Sequence, residues 1–484
     1  MSRVRVCGLV CAAVAAVLTV AVTVDAAETW TEVRSPNFRV ITNGNARQGR
    51  EVAASFERLT AVLQQVAKIS TRTDVPLTII AIQHGKQLRT LIDSDREDLG
   101  GLFAAGPDAN LVLVRLDFDR DLRYQIAWHE YMHVLVHQTI GAAPVWLNEG
   151  LAEMYSQARL DTDDVLLGMP ADYHLAALQE RSLLSLERLL AVDHGSPEYT
   201  EDNRATTFYA QSWALTHFLV LGDNGAHRPR LMALLEALDA GATPADATRR
   251  ALGDVAAFDR QFRAYIGRFQ FPALKARVPL SDAAKGAPAR PLSPAEVLAL
   301  KATVAAMVGD GATGTTLAAE AVAADRTLGE AWMAQARAAR RAGDLDATER
   351  ALAQAVSVGS SDPLAHFGWA ELRMRAPDAP LAEVSAALER ALALKPDLAR
   401  ALSLLGVVRA AQDGNTTRGV SLITQAITLE PGNARHYLML AQLAANARDA
   451  ASTDAALARA DRVAQGPDEK RQVAAVRQQL RPTP

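Results

Sequence analysis

The chain has 484 residues, 49% hydrophobic and 22% charged, with a formal net charge of −4. That length allows two or three cores, and so mild a charge with no basic run excludes a nucleic-acid or acidic-membrane footprint. The only two cysteines are Cys7 and Cys11, so any metal site must be built from histidine and carboxylates.

The opening stretch, MSRVRVCGLVCAAVAAVLTVAVTVDAAETW, sets two arginines before an apolar run that ends in small residues. That order predicts a signal peptide over residues 1–26, cleaved after Ala26 or Ala27. The mature chain is then expected to be periplasmic or secreted, free of thiols and of any membrane span. A retained signal anchor that tethers the chain is the alternative, because the run approaches the roughly 20 residues that cross a bilayer.

From about 28 to 120 strand and helix patterns mix. NFRVIT and PLTIIAI are β-rich, and ARQGREVAASFERLTAVLQQVAKI between them has helical spacing of its apolar residues. GLFAAGPDANLVLVRL reads as a hairpin whose second strand is Leu111 to Leu116. From 121 to 271 the pattern turns helical, and its most informative stretch is HEYMHVLVHQTIGAAPVWLNEGLAE.

His129 and His133 stand at i and i+4 on a helix predicted from about 124 to 139. The spacing brings both rings to one face, about 6 Å apart along the axis, within reach of one metal ion. Glu130 is rotated by about 100° from His129, where it can face a water instead of ligating. A His-Glu-x-x-His pattern on a helix is the zinc-peptidase arrangement, and catalytic zinc wants three protein ligands with one position open. Pro144 starts a second helix, expected to return antiparallel, so that Glu149 can supply the third ligand. Glu153, one turn on, can then hold a ligating histidine by its distal N–H. His137 would lie about 12 Å from His129 along the axis, too far to share the ion, and reads as a polar residue near the helix end.

Residues 272–294, with five prolines, read as a linker. Beyond it Trp332, Phe367, Leu402 and Tyr437 recur every 35 residues, followed four residues later by Ala336, Glu371, Gly406 and Ala441. Pro396 and Pro431 keep the same interval. The stretch from 295 to 480 resembles tetratricopeptide repeats, in which helix pairs stack and offer a concave surface to a protein partner. Its period is one residue longer than the usual repeat, and Glu371 stands where a small residue is usual.

HEYMH followed by WLNEGLAE resembles the gluzincin metallopeptidases, both aminopeptidase N-like enzymes and, more closely, short bacterial peptidase-MA-like domains. The resemblance spans about 28–271 and is strong over 124–156. It implies an α+β fold, a small sheet followed by a helical zincin-like subdomain, here continued by the α-helical repeat array. It implies Zn2+ on His129, His133 and Glu149, with Glu130 as general base. The interval from His133 to Glu149 is shorter than in the larger enzymes, which keeps Glu153 open as the third ligand. YAQSWALTHFL resembles the helix whose first tyrosine, here Tyr209, donates a hydrogen bond to the transition state; His217 is a second candidate. In that family an edge strand pairs with an extended substrate, a role that would fall to Leu111, Val112, Leu113 and Val114. The Gly-x-Met-Glu-Asn stretch with which aminopeptidases grip an amino terminus is missing ahead of the zinc motif, which favours endopeptidase action on peptide or protein substrates. The competing function is an inactive envelope scaffold in which the repeats bind a partner.

Overall fold

The computed structural model describes residues 29–480 except 98, 141–142, 162, 180–182, 269, 377, 415 and 465. The expected leader, with Cys7, Cys11 and its cleavage point, lies outside those residues. Among them no helix is long and apolar enough to cross a membrane.

The chain starts with β1 (Thr31–Arg34), β2 (Arg39–Thr42), α1 (Ala46–Val62), β3 (Leu77–Ile82), α2 (Gly85–Ile92), β4 (Gly101–Ala105) and β5 (Asn110–Arg115). Helices α3 (Arg120–Ile140) and α4 (Val145–Ser156) follow, then the hairpin β6 (Arg159–Leu160) and β7 (Asp164–Leu167). A helical stretch comes next: α5 (Asp172–Gln179), α6 (Leu186–Ala191), α7 (Pro197–Thr200), α8 (Asp202–Val220), α9 (Arg228–Asp239), α10 (Pro244–Leu252) and α11 (Val255–Ile266). Strands β8 (Leu274–Arg277) and β9 (Ala289–Pro291) flank the short α12 (Asp282–Lys285). The array is α13 (Pro294–Val308), α14 (Gly311–Ala324), α15 (Gly329–Arg341), α16 (Leu345–Ser357), α17 (Pro363–Arg373) and α18 (Leu381–Leu394). It continues through α19 (Ala399–Asp413), α20 (Thr416–Leu429), α21 (Ala434–Asn446), α22 (Ala450–Val463) and α23 (Gly466–Leu480).

The main sheet has the order β4-β5-β3-β2-β1-β9. Its β2, β3 and β5 are parallel neighbours, joined through α1 and α2, while β4, β1 and β9 run antiparallel to their partners. Alternation along each strand splits the apolar residues between two faces. Val40, Ile79, Val112 and Val114 pack with α1 and α3, together with Phe56, Trp128 and Met132. Ile41, Ile80, Ile82, Leu111 and Leu113 point the other way, onto Leu88 and Ile92 of α2 and onto Leu300 and Val304 of α13. The first helix of the array is therefore part of the sheet's own core.

Two expectations are corrected here. Leu111, Val112, Leu113 and Val114 do not form an edge: β5 lies between β3 and β4, all four side chains are buried, and the outer strand is β4. A hairpin is visible in the sequence, but its placement depends on the long-range pairing of β5 with β3. The proline-rich 272–294 segment is likewise more than a linker. In it β8 extends the small sheet β6-β7-β8, and β9 closes the main sheet against β1. Pro288 and Pro291 stand at the two ends of β9, where prolines are tolerated, Pro294 opens α13, and the Pro272 and Pro288 carbonyls accept from His217 and Arg34.

The residues at the 35-residue interval lie on α15, α17, α19 and α21, the first helices of successive pairs. A Cβ on Gly406 would come 2.7 Å from the Gly419 carbonyl, so the small residue there permits close contact of α19 with α20. Glu371 is tolerated because it is only half-buried and pairs with Arg435 at 2.9 Å.

Two of those first helices, α15 and α19, face the N-terminal half of the same chain. Arg39 pairs with Glu330 of α15, and Asp108 with Arg337 and Arg340 of the same helix. The buried Asp74 carboxylate accepts from the backbone N–H groups of Ala399 and Arg400, capping α19 from outside. Lys395 donates to the Thr73 carbonyl, and Arg400 to that of Pro107. The surface expected to greet a partner is occupied, along α15 and at the start of α19, by the chain itself.

Asp108 makes this docking acid-sensitive. Burial pushes its carboxyl up, but Arg337 and Arg340 outweigh burial and hold it below its ordinary value of 3.8. A depressed carboxylate contributes stability above the ordinary value and loses it as pH falls through the depressed one. Asp108→Asn is expected to cost about 3 kcal/mol at neutral pH, since two arginines lose a largely buried partner. Thermal unfolding followed from pH 7 to below 3.8 should show a flatter acid limb in the variant; parallel curves would remove Asp108 from the account.

Candidate metal centre

The face of α3 that carries His129 and His133 looks away from the sheet, while Tyr124, Trp128, Met132 and Leu135 are sunk in the core. Helix α4 then returns between α3 and α8. Gly150 makes that possible: a Cβ there would lie 2.1 Å from Thr216 Oγ1 and 2.4 Å from the Ser212 carbonyl. The close approach of α4 to α8 puts Glu149 beside the histidines and the Tyr209 ring edge-on to His129, centroids 6.5 Å apart.

Three potential ligand atoms converge. His129 Nε2 and His133 Nε2 are 3.0 Å apart, and each lies 3.4 Å from Glu149 Oε2. A tetrahedral zinc ion about 2.0–2.2 Å from its ligands needs donor atoms about 3.3–3.6 Å apart. The triangle fits such an ion with a small expansion along one edge, and the donor set of two imidazoles and a carboxylate is one zinc accepts. Without an ion, burial pushes the Glu149 carboxyl up, but hydrogen bonds and charge from the two histidines outweigh it and bring it down to about 2. Burial pushes His133 the other way, yet Glu149 holds its pKa above the ordinary 6.5.

Of the two glutamates on α4, Glu149 is the one turned to both Nε2 atoms. Glu153 stands behind: its Oε1 is 3.5 Å from His129 Nδ1, the nitrogen facing away from the triangle. Its Oε2 takes a hydrogen bond from the Tyr173 hydroxyl at 2.5 Å and lies 3.1 Å from Nε2 of the buried His174. This chain of groups holds the Glu153 carboxylate in place and, through it, the ring of His129. Glu130 is partly exposed beside the cluster, close enough for its charge to act on His133, Tyr199 and Tyr209.

Tyr209 is half-buried, and burial, followed by the charges of Glu149, Glu153 and Glu130, pushes its hydroxyl up to about 12. It is therefore a neutral donor at physiological pH. His137 does not join the group. His217 belongs to the core: its Nδ1 meets the Tyr265 hydroxyl at 2.7 Å and its Nε2 the Pro272 carbonyl at 3.0 Å, and burial lowers its pKa to about 4. With both ring nitrogens engaged by core groups, and outside the metal triangle, it is not free to act on a substrate.

Three site groups escaped the sequence reading. Tyr199, on α7, donates to Glu149 Oε1 at 3.2 Å and so leaves Oε2 for the histidines. Tyr173 and His174 come from the start of α5. None sits at a helical interval from the motif; only the fold joins them to it.

Residues 59–268 match the family model described as Peptidase MA superfamily. The match runs from the end of α1 to the end of α11 and includes every group of the triangle. No curated protein matches the chain in sequence. Similar solved structures include MamA, at 16% identity over 38% of this chain and 98% of that one, with a TM-score of 0.28. YrrB, described as a TPR protein with an unusual peptide-binding site, is 12% identical over 37% and 90%, with a TM-score of 0.31. TTC0263, a thermophilic TPR protein of Thermus thermophilus, is 18% identical over 38% and 99%, with a TM-score of 0.30.

Proposed function

We propose that the chain is an exported zinc-dependent peptidase acting on extended polypeptides, with endopeptidase action favoured. The observation that carries this reading is the triangle of His129, His133 and Glu149, with Glu130 near enough for its charge to act on His133 and the Tyr209 ring edge-on to His129. Zinc in such a site supplies, when bound, Lewis-acid activation of water and of a carbonyl. Glu130 would take the proton from the attacking water and return it to the leaving amine. Tyr209 would donate to the oxyanion that develops on the carbonyl. Glu153 would keep His129 oriented, and Tyr199 would keep Glu149 turned to the histidines. Substrate would add alongside β4, the outer strand next to α3, by main-chain pairing. A protein partner for the array, if one binds, would use surfaces outside the internal contact.

Proteolysis assayed on the wild-type and Glu130→Gln proteins, together with zinc content by elemental analysis, tests this reading. The tyrosines separate further. Tyr209→Phe should lower kcat about 10²–10³-fold with little change in KM, whereas Tyr199→Phe should weaken zinc retention first. Steady-state kinetics paired with a chelator titration would show the split, and unchanged kcat in Tyr209→Phe would dispose of the donor role.

A further inference from the structure

The contact between residues 70–76 and the array has the form of a bound peptide. This stretch, STRTDVP, lies between α1 and β3 with neither helix nor strand of its own. Arg72 reaches the carboxylate and the carbonyl of Asp397, at 2.9 and 2.7 Å. Lys395 donates to the Thr73 carbonyl at 2.9 Å, and Asp74 accepts from the Ala399 and Arg400 N–H groups at 2.9 and 2.8 Å. Val75 packs on the cluster of Leu364, Phe367 and Leu398, to which it is the one contributor from outside the array among the described residues. Apart from a local bond from the Arg72 N–H to Ser70, the hydrogen bonds of Arg72, Thr73 and Asp74 among the described residues all go to the array.

The array side is shaped to receive such a segment. Helices α17 and α21 begin on Asp362 and Asn433, whose side chains cap them, whereas α19 begins on Leu398, which has no group to do so. Its first N–H groups therefore wait for a carboxylate from elsewhere. The present occupant does not use the seat fully. Arg400 Nε and Nη2 are buried without a hydrogen bond. Burial, and after it the charge of Glu430, push the Asp74 carboxyl above its ordinary 3.8. Independently of the metal centre, we infer that this seat is a recognition site for a protein partner. The partner docks a segment carrying an arginine, an acid two residues on and then an apolar residue, in exchange for residues 72–75. Any other partner is left with the surfaces outside the internal contact. The array stays attached during the exchange, through α13 in the sheet's core and through Asp108 between Arg337 and Arg340. A tethered segment acts at an effective concentration of about 1 mM, so a free one that binds the empty seat at about 10 μM is weakened about 100-fold in the wild type.

The test titrates a fluorescein-labelled peptide of residues 70–77 by anisotropy against three full-length proteins. These are the otherwise unaltered chain, Asp74→Asn and the double variant Arg72→Ala with Asp74→Ala, all carrying Glu130→Gln so that the probe is not cut. A second peptide, with alanine at the acidic position, is the control. The double variant should bind the probe about 100-fold more tightly than the chain with its segment intact, with Asp74→Asn between the two. The control peptide should bind the double variant about 10-fold more weakly than the probe does, since it lacks the charge-assisted bonds to the two N–H groups. Circular dichroism checks that the variants are folded; where the double variant is not, Asp74→Asn, which keeps the side chain's shape, carries the comparison. Equal affinity with and without the intact segment, no binding to any of the three, or equal affinity of the two peptides overturns the inference. A wild-type dimer that dissociates when the probe is added also overturns it, because the seat then belongs to a second copy of the chain.

Discussion

Glu130→Gln is expected to bind zinc like the wild type and to lose about 10²–10⁴-fold in kcat, the span that general-base catalysis usually covers. The substitution removes the proton acceptor but leaves the three ligand atoms, their triangle and the supports at Tyr199 and Glu153 as they are. His129→Ala should behave differently, losing zinc and activity together, because one corner of the triangle goes. Elemental analysis and a peptide-cleavage assay on both variants distinguish the two losses. Full turnover in Glu130→Gln would end the assignment of Glu130, and wild-type protein that takes up no zinc would end the metallopeptidase reading altogether.

The second large effect concerns the array. A chain truncated after residue 271 is expected not to give a soluble folded monomer. It would lack β9, which covers the edge of β1, and α13, whose Leu300 and Val304 close the face formed by Ile41, Ile80, Ile82, Leu111 and Leu113. Each such side chain contributes about 1.5–3 kcal/mol when buried, so uncovering four or five of them forfeits about 10 kcal/mol. That is comparable to the roughly 5–15 kcal/mol by which a whole domain is stable. Asp74, built to cap α19, would also lose its partners. A longer fragment ending at residue 308 should recover part of the solubility, since it restores β9 and α13. Size-exclusion chromatography and circular dichroism on both lengths decide the matter: a monomeric, cooperatively unfolding 29–271 fragment would show that the repeats are an appendage.

The helix that carries His129 and His133 was legible because its information is local. Two histidines and a glutamate at fixed positions on one helix are read from the 3.6-residue period alone, and α3 and α4 fall where the pattern put them. The 35-residue interval of the array was legible for a similar reason, each helix pair repeating its neighbour. What stayed hidden depends on distant pairing. That β4, not β5, is outermost follows from β5 running parallel to β3 across α2. That 272–294 forms strands was masked by prolines, which suit strand ends as well as they suit linkers. Tyr199, Tyr173 and His174 reach the centre from separate helices, and nothing in their neighbourhoods marks them. Gly150 was inside the quoted motif, but its reason is the backbone of α8, far along the chain.

A polypeptide is made from its amino end, and here that order has a consequence. The five strands that emerge first leave one side of their sheet covered only by α2, and the rim of β1 unpaired, until nearly two hundred further residues have followed. During that interval the nascent chain carries a greasy, open-edged surface of the kind that invites aggregation. A holdase that masks it, arriving early and leaving when α13 docks, is what the biogenesis of such a chain calls for.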